Sequence, residues 1–355
     1  MDDMRIVRAE ALKDFCAEAL IRLQVPEGDA AIIADSMVDA DLRGVHTHGV
    51  THFAGYARML REGNMNPRPS LKVIREAKNT ALIDADNAVG NLGVVRAMQK
   101  AVDKAKASGL AAVALINSTH CGALAYFTTM AAQQGVIAFL TNNGPPRVPP
   151  YGGKSRTLST NPWSYGIPAG KQLPIILDMA VTVVAGGKIR LAQKKGQKIP
   201  VDWALDQDGL PTDDPVKAMA GFSQWMGGPK GYGLAVVSDV LAGVLTGGSF
   251  GLDFPPTTEP YGSSLIRSNH FMTALDIESF MPLSEFTGRI DRLISQLKSS
   301  ERVQGVEEIY LPGEREFKLK EERLRSGLPL ASEVWSELDK VRVQLGIQRA
   351  IPFTS

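Results

Sequence analysis

The feature that most constrains what this chain can fold into is a change of texture at Leu71. Beyond it, short apolar runs at 82–84, 111–117 and 136–141 alternate with helical patterns over 93–106 and 123–133. Strands that feed helices in this way bury both kinds of apolar face against each other, so the middle of the chain reads as α/β. Residues 142–162 hold five prolines and several glycines, too irregular for a helix or a sheet interior, and read as a loop lining a site. A brief strand is expected at 175–177, small-residue helices at 180–191 and 231–245, a strand at 271–277 after the loop that follows Gly247-Gly248, and amphipathic helices at 283–297 and 333–345.

Upstream of Leu71 the spacing is helical. Residues 9–23 and 27–41 carry apolar residues at helical intervals, with Pro26, Glu27 and Asp29 marking the second start and Gly44 its end. A third helix is expected over 47–62, closed by Gly63-Asn64, before an extended connection through Pro67 and Pro69. A chain of 355 residues exceeds what one core usually organises, so two packed regions are expected.

Charge narrows the function classes. The 39 basic and 38 acidic residues leave a net charge of +1, which favours neither nucleic acid nor an anionic membrane as partner. The apolar stretches at 110–116 and 233–245 are short or broken by Ser238 and Asp239, so neither spans roughly 30 Å of hydrocarbon. Cys16 and Cys121 lie far apart without a CxxC spacing, and the start MDDMRIVRAE carries no apolar signal core, so a reduced cytoplasm is the expected setting.

Three of the five histidines, His46, His48 and His52, crowd into RGVHTHGVTHF, while His120 and His270 stand elsewhere. With Thr47 as a helix cap, His48 and His52 share one helical face and offer an imidazole that can exchange protons near neutral pH. His120 ends a strand candidate in INSTHCGALAYF, the kind of strand end where α/β folds hold ligands. No carboxylate stands at a ligand spacing from these histidines and no HExxH is present, so no metal is expected.

None of the glycine clusters forms GxGxxG between a strand and a helix, which disfavours the usual dinucleotide fold. The remaining junctions are PIILDMAVTVVAGGK, MGGPKGYGLA and LPGE, where free backbone N–H groups at a helix start attract phosphate and Lys230 adds a charge.

In family order, RGVHTHGV with Tyr56 and NMNP, NSTHCGA, TNN with PPYGG, LSTNP, LDMA, IPVDWALDQDGLPTDDP, GPKGYGLA, LAGVLTGGSFG, ALDIESF and LPGERE run through nearly the whole chain. Together they resemble the malate/L-lactate dehydrogenase family, which also contains ureidoglycolate, sulfolactate and 2,3-diketogulonate enzymes and the piperideine-2-carboxylate reductases. The resemblance implies an α/β fold with a mixed-sheet nucleotide-binding domain of the sulfolactate/malate dehydrogenase type, not Rossmann, over 76–279. A helical domain built from both termini, 1–75 with 280–355, would accompany it and form a homodimer with the active site near the subunit contact.

The same resemblance implies NAD or NADP as cofactor, held by Asn161, by Pro174, Ile175, Ile176, Leu177, Asp178, Met179 and Ala180, by Lys230 and Gly231, and by Pro312, Gly313 and Glu314. His48 and His120 take the acid–base roles, and Thr47, His52, Tyr56 and Arg147 meet a small-molecule substrate. The expected reaction moves hydride between NAD(P)H and C2 of a 2-oxo or 2-hydroxy acid. A cyclic imine 2-carboxylate is the alternative substrate, and a nucleotide-binding protein without turnover is the alternative of another class.

Four departures from the family pattern are mild: Thr47 for Ser, Cys121 for Phe, Ser159 for Gly and Gly186 for Arg. His52 is different, because it stands where the family has an arginine for the substrate carboxylate, and a neutral imidazole makes no bidentate, permanently charged contact. Arg58, Arg147 and Arg156 are the replacement cations, Arg147 first among them.

Overall fold

The computed structural model describes residues 4–254, 267–351, 353 and 354; the second half of the connection expected after Gly247-Gly248 lies outside them. Seven strands form one sheet in the order Lys72–Glu76, Thr80–Asp84, Leu110–Thr119, Arg267–Asp276, Val136–Asn142, Trp163–Ile167, Ile175–Met179. Among the described residues only Thr80–Asp84 and Leu110–Thr119 pair in parallel, and the helix Gly90–Ser108 makes the crossover that a parallel pair needs. Every other pairing in this sheet is antiparallel, so the sheet is mixed and its order is not that of a doubly wound fold. Arg267–Asp276, distant in sequence, is inserted between Leu110–Thr119 and Val136–Asn142.

One face of this sheet is dry. Ala97, Met98, Ala101 and Ala105 of the Gly90–Ser108 helix, with Phe127 of Ala125–Ala132, pack on Val113, Leu115, Ala138, Leu140 and Met272. Alanines at that spacing let the helix approach the strands closely, which the larger Leu and Met side chains then fill.

A second core joins the two ends of the chain. Leu12, Leu20, Ile33, Phe53 and Leu60 from helices Ala9–Arg22, Glu27–Leu42 and Phe53–Arg61 pack with Leu338, Val341 and Ile347 from and after Ser332–Gln344. Arg5–Val7 pairs antiparallel with both Leu328–Leu330 and Phe353–Thr354, which ties the termini covalently distant in sequence into one small sheet. The helix Leu283–Lys298 packs elsewhere: Asp291 accepts the N–H groups of Gly170, Lys171 and Gln172 at 3.0, 2.7 and 3.1 Å, beside the outer edge of the main sheet.

Two local expectations needed correction. The helix expected over 47–62 begins only at Phe53, after two single 3-10 turns, His46–His48 and Val50–His52. The helix expected over 180–191 begins at Gly186, because the β-branched run Val181-Thr182-Val183-Val184 prefers extended backbone and Thr182 bridges to Trp225. The strands Lys72–Glu76 and Trp163–Ile167 were not anticipated; the first is an edge strand exposed at every position, so it carries no alternation of buried and exposed residues to read.

A small lobe built from helices Gly186–Lys194 and Pro215–Ala220 and the short strands Ala204–Leu205, Pro211–Thr212 and Phe222–Ser223 has its own core of Val184, Ile189, Ile199, Ala204 and Ala218. Its inner side faces the histidine-rich turns. Among the described residues no helix is long and apolar enough to cross a membrane.

Candidate active site

Local hydrogen bonding explains why the histidine segment coils into two turns and not one helix. The buried carboxylate of Asp41 accepts the N–H of Val50 at 2.7 Å and faces the Nδ1 of His46 at 2.9 Å. Gly49 between the turns lies so close that a Cβ there would sit 2.1 Å from Asp41 Oδ2. Thr47 therefore caps no helix; its carbonyl accepts from Nε2 of His52 at 2.8 Å and its hydroxyl meets Nδ1 of His48 at 2.9 Å.

This folding gathers three imidazoles and a phenol that the sequence separates. The ring of His48 stacks on that of His120 with centroids 5.6 Å apart and planes at 30°, and the ring of His52 lies 4.7 Å from His120. The Tyr56 hydroxyl sits 2.8 Å from Nδ1 of His120 and donates to the His120 carbonyl at 2.9 Å. The hydroxyl carries one proton, so when that proton goes to the carbonyl the phenol oxygen can accept from Nδ1 of the ring.

All three imidazoles are held neutral at pH 7. Burial pushes His48 down to about 4, with His52 adding to the shift. Burial also lowers His52, against the pull of its bond to Thr47, and lowers His120 well below the usual range, with His52 and His48 as the next causes. Such a cluster accepts a proton readily only when an anion is brought beside it.

A cavity of about 1280 Å³ opens on this cluster. Thr47, His48 and His52 line one side, and Asp178, Met179 and Ala180, at the end of the Ile175–Met179 strand, line another. Arg58, Arg147 and Arg156 all line it as well. Arg156 donates to the Gly221 carbonyl at 2.8 Å and lies 5.3 Å from the Phe222 ring centre.

The other residues expected to hold the cofactor divide into neighbours and outliers. Pro174, Ile175, Ile176 and Leu177 lead along the edge strand away from the cavity lining. Pro312, Gly313 and Glu314 dock on that strand, with the Ile176 N–H donating to the Pro312 carbonyl at 3.0 Å. Glu314 is buried and paired with Lys298 and Lys318. Gly231 is packed against the Val181 carbonyl, just past Ala180, while Lys230 is exposed outside the cavity lining. Asn161 is buried behind the wall, donating to the Ala235 carbonyl at 2.8 Å, between the lining residues Thr160 and Pro162.

Sequence reasoning missed Asp41, whose place in an apolar helical pattern looked incidental, and Arg190, which lines the cavity from the lobe helix whose start was misread. An acidic residue in the last turn of a helix, where the dipole disfavours it, was the available signal for Asp41.

The sequence profile of the malate/L-lactate dehydrogenase family matches residues 7–339. The malate dehydrogenase of Pyrococcus horikoshii is 38% identical over 350 residues, covering 96% of each chain. The solved structure of the sulfolactate dehydrogenase of Methanocaldococcus jannaschii is 36% identical, with a TM-score of 0.90 over 96% of this chain and 97% of that one. The Δ1-piperideine-2-carboxylate reductase of Pseudomonas syringae superposes with a TM-score of 0.83 at 26% identity, over 95% and 99% of the two chains. A mixed, non-Rossmann sheet, a histidine-lined cavity at its end and this extent of similarity lead to one conclusion: the chain belongs to the malate/L-lactate dehydrogenase family of NAD(P)-dependent dehydrogenases.

Proposed function

We propose that this protein moves hydride between NAD(P)H and C2 of a small 2-oxo or 2-hydroxy acid, with His48 exchanging the proton and His120 supporting it. The observation that carries the reading is the stack of His48 on His120 beside a cavity whose other wall is Asp178, Met179 and Ala180. At about 1280 Å³ the cavity exceeds the 300–1,000 Å³ typical for a single small ligand, so a ring and a small acid fit together. When bound, the nicotinamide supplies or takes the hydride.

The chain's own groups do the rest. In the oxidative direction His48, neutral at pH 7, is ready to take the hydroxyl proton. In the reductive direction it must first be protonated, and a substrate carboxylate beside it raises its pKa toward that state. Arg147 is the cation we assign to that carboxylate, with Thr47 and Tyr56 as neighbouring contacts. His52 commits its Nε2 to the Thr47 carbonyl and lines the cavity beside His48. Asn161, Pro174 to Ala180, Lys230, Gly231, Pro312, Gly313 and Glu314 form the proposed cofactor wall. Residues 1–75 with 280–355 and 76–279 are the proposed domains.

A second reading, reduction of a cyclic imine 2-carboxylate, is favoured by the superposition on the piperideine-2-carboxylate reductase. We also propose a cytoplasmic homodimer. Two unpaired, buried cysteines suit a reduced compartment, and Val236, Val240, Val244 and Leu245 leave an apolar helical face exposed for a second copy.

A panel of 2-oxo acids and cyclic imines assayed with NADH and NADPH tests the reaction. Turnover of an oxo acid supports the first reading and turnover of an imine alone the second. Cofactor binding with no turnover anywhere overturns both in favour of a non-catalytic nucleotide-binding protein. His48→Asn and His120→Asn are each expected to lower kcat by about 10²–10⁴-fold while cofactor affinity stays near that of the wild type.

A further inference from the structure

Behind the reacting imidazoles lies a polar triad that the reaction itself does not use. Asp41 is 1% exposed, near the end of the helix Glu27–Leu42. Its Oδ2 accepts from the Val50 N–H at 2.7 Å, and its Oδ1 lies 2.9 Å from Nδ1 of His46. Arg323, from the helix Glu314–Ser326, approaches Nε2 of His46 at 3.1 Å and donates to the Asp41 carbonyl. A guanidinium only donates, so Nε2 of His46 accepts and Nδ1 carries the proton, which it gives to Asp41. Both carboxylate oxygens are thereby used, one for the turn that bears His48 and one for the turn that follows it.

Resting on the function proposed above, we infer that Asp41 is the positioning residue of the active site, with His46 and Arg323 as its partners: together they clamp the turns His46–His48 and Val50–His52 and so aim the His48 ring at the cavity. The clamp is tight. Any side chain at position 49 would overlap the Asp41 carboxylate, and the helix that brings Arg323 starts at Gly313-Glu314, against the edge strand of the proposed cofactor wall. One rigid helix thus ties that wall to the turn bearing His48, which keeps the distance between reacting partners constant. A misplacement of about 1 Å at such a site costs on the order of 10²-fold in rate.

Asp41→Asn keeps an acceptor for Val50 and loses the partnership with His46, whereas Asp41→Ala loses both. On whichever panel substrate the wild type turns over, Asp41→Asn is expected to lower kcat by about 10-fold and Asp41→Ala by about 100-fold, with KM and the NAD(P)H dissociation constant within about twofold. ¹⁵N-histidine spectra, assigned through His46→Asn and His48→Asn, are expected to show His46 protonated on Nδ1 in the wild type and to lose that signature in Asp41→Asn, with the His48 signals displaced. Where the Asp41 variants fail to fold, Arg323→Met tests the same clamp by freeing the His46 tautomer.

Wild-type kcat in Asp41→Asn, a loss that only tracks the folded fraction, or unmoved His48 signals would overturn the inference. If the wild type turns over nothing on the panel, the proposed reaction fails by itself, and the His46 and His48 spectra still decide whether Asp41 positions the turn.

Discussion

His52 shows how a residue that stands out in the sequence is given its meaning only by its neighbours. Its Nε2 is spent on the Thr47 carbonyl and its ring packs 4.7 Å from His120, so it braces the cluster from within. Burial is the main cause of the lowered pKa of both His48 and His120, and His52 adds to it, because one protonated imidazole disfavours the next. His52→Gln keeps a donor for Thr47 and removes the ring that competes with the other two for a proton. The pKa values of the remaining pair then rise toward 6.5, and since oxidation needs a neutral base, the acid limb of the kcat/KM profile for hydroxy-acid oxidation moves to higher pH. A limb that stays in place, or moves to lower pH, would show that His52 does not control the pair.

At the scale of elements, the critical contact is between the Ile175–Met179 edge strand and the turn that starts the Glu314–Ser326 helix. Gly313 has φ +83°, and a Cβ there would stand 2.7 Å from the Ile176 carbonyl oxygen. Gly313→Ala must therefore strain the backbone and push the turn off the strand, breaking the bond from Ile176 to Pro312. Unfolding in urea is expected to show a loss of about 1–3 kcal/mol, and fluorescence titration a weaker NAD(P)H complex. Destabilisation with unchanged cofactor affinity would remove Pro312–Glu314 from the cofactor wall. The exposed helical face of Val236, Val240, Val244 and Leu245 belongs to this scale too. Light scattering on the purified protein is expected to give twice the monomer mass, and Val240→Lys with Val244→Lys to shift it to the monomer; a monomeric wild type would discard the dimer.

For the whole molecule, buried neutral histidines make acid the vulnerable side. His270 is fully buried in the strand Arg267–Asp276, and burial pushes it down to about 4, against the pull of the neighbouring Thr119 carbonyl. Its folded pKa lies below its unfolded value of about 6.5, so the unfolded state binds the proton first and stability falls as pH drops from 6.5 to 4. For His270 alone the loss is on the order of 3 kcal/mol, and His48, His52 and His120 act in the same direction. Asp41, raised by burial, works the opposite way. His270→Gln should flatten the urea-derived stability curve over that window; an unchanged slope would contradict the assignment.

Much of this protein could be read along the chain. The helices at Ala9–Arg22, Glu27–Leu42, Gly90–Ser108 and Leu283–Lys298 and the strands Leu110–Thr119 and Val136–Asn142 announce themselves, because each has a buried face whose period is local. His48 and His120 stood out for the same reason: unusual residue types in ordered motifs need no partner to be noticed. What folds back from afar was not legible. The insertion of Arg267–Asp276 into the sheet centre and the pairing of both termini depend on strands that lie far apart in the chain, and the edge at Lys72–Glu76, though paired locally with Thr80–Asp84, has no buried face to read. The two tight turns at the histidines were likewise decided by Asp41 and Arg323, whose hydrogen bonds override the helical preference of the segment they hold. Periodicity records which face of an element is buried, but only the tertiary structure decides what it is buried against, and a proton's affinity for an imidazole depends on that surrounding.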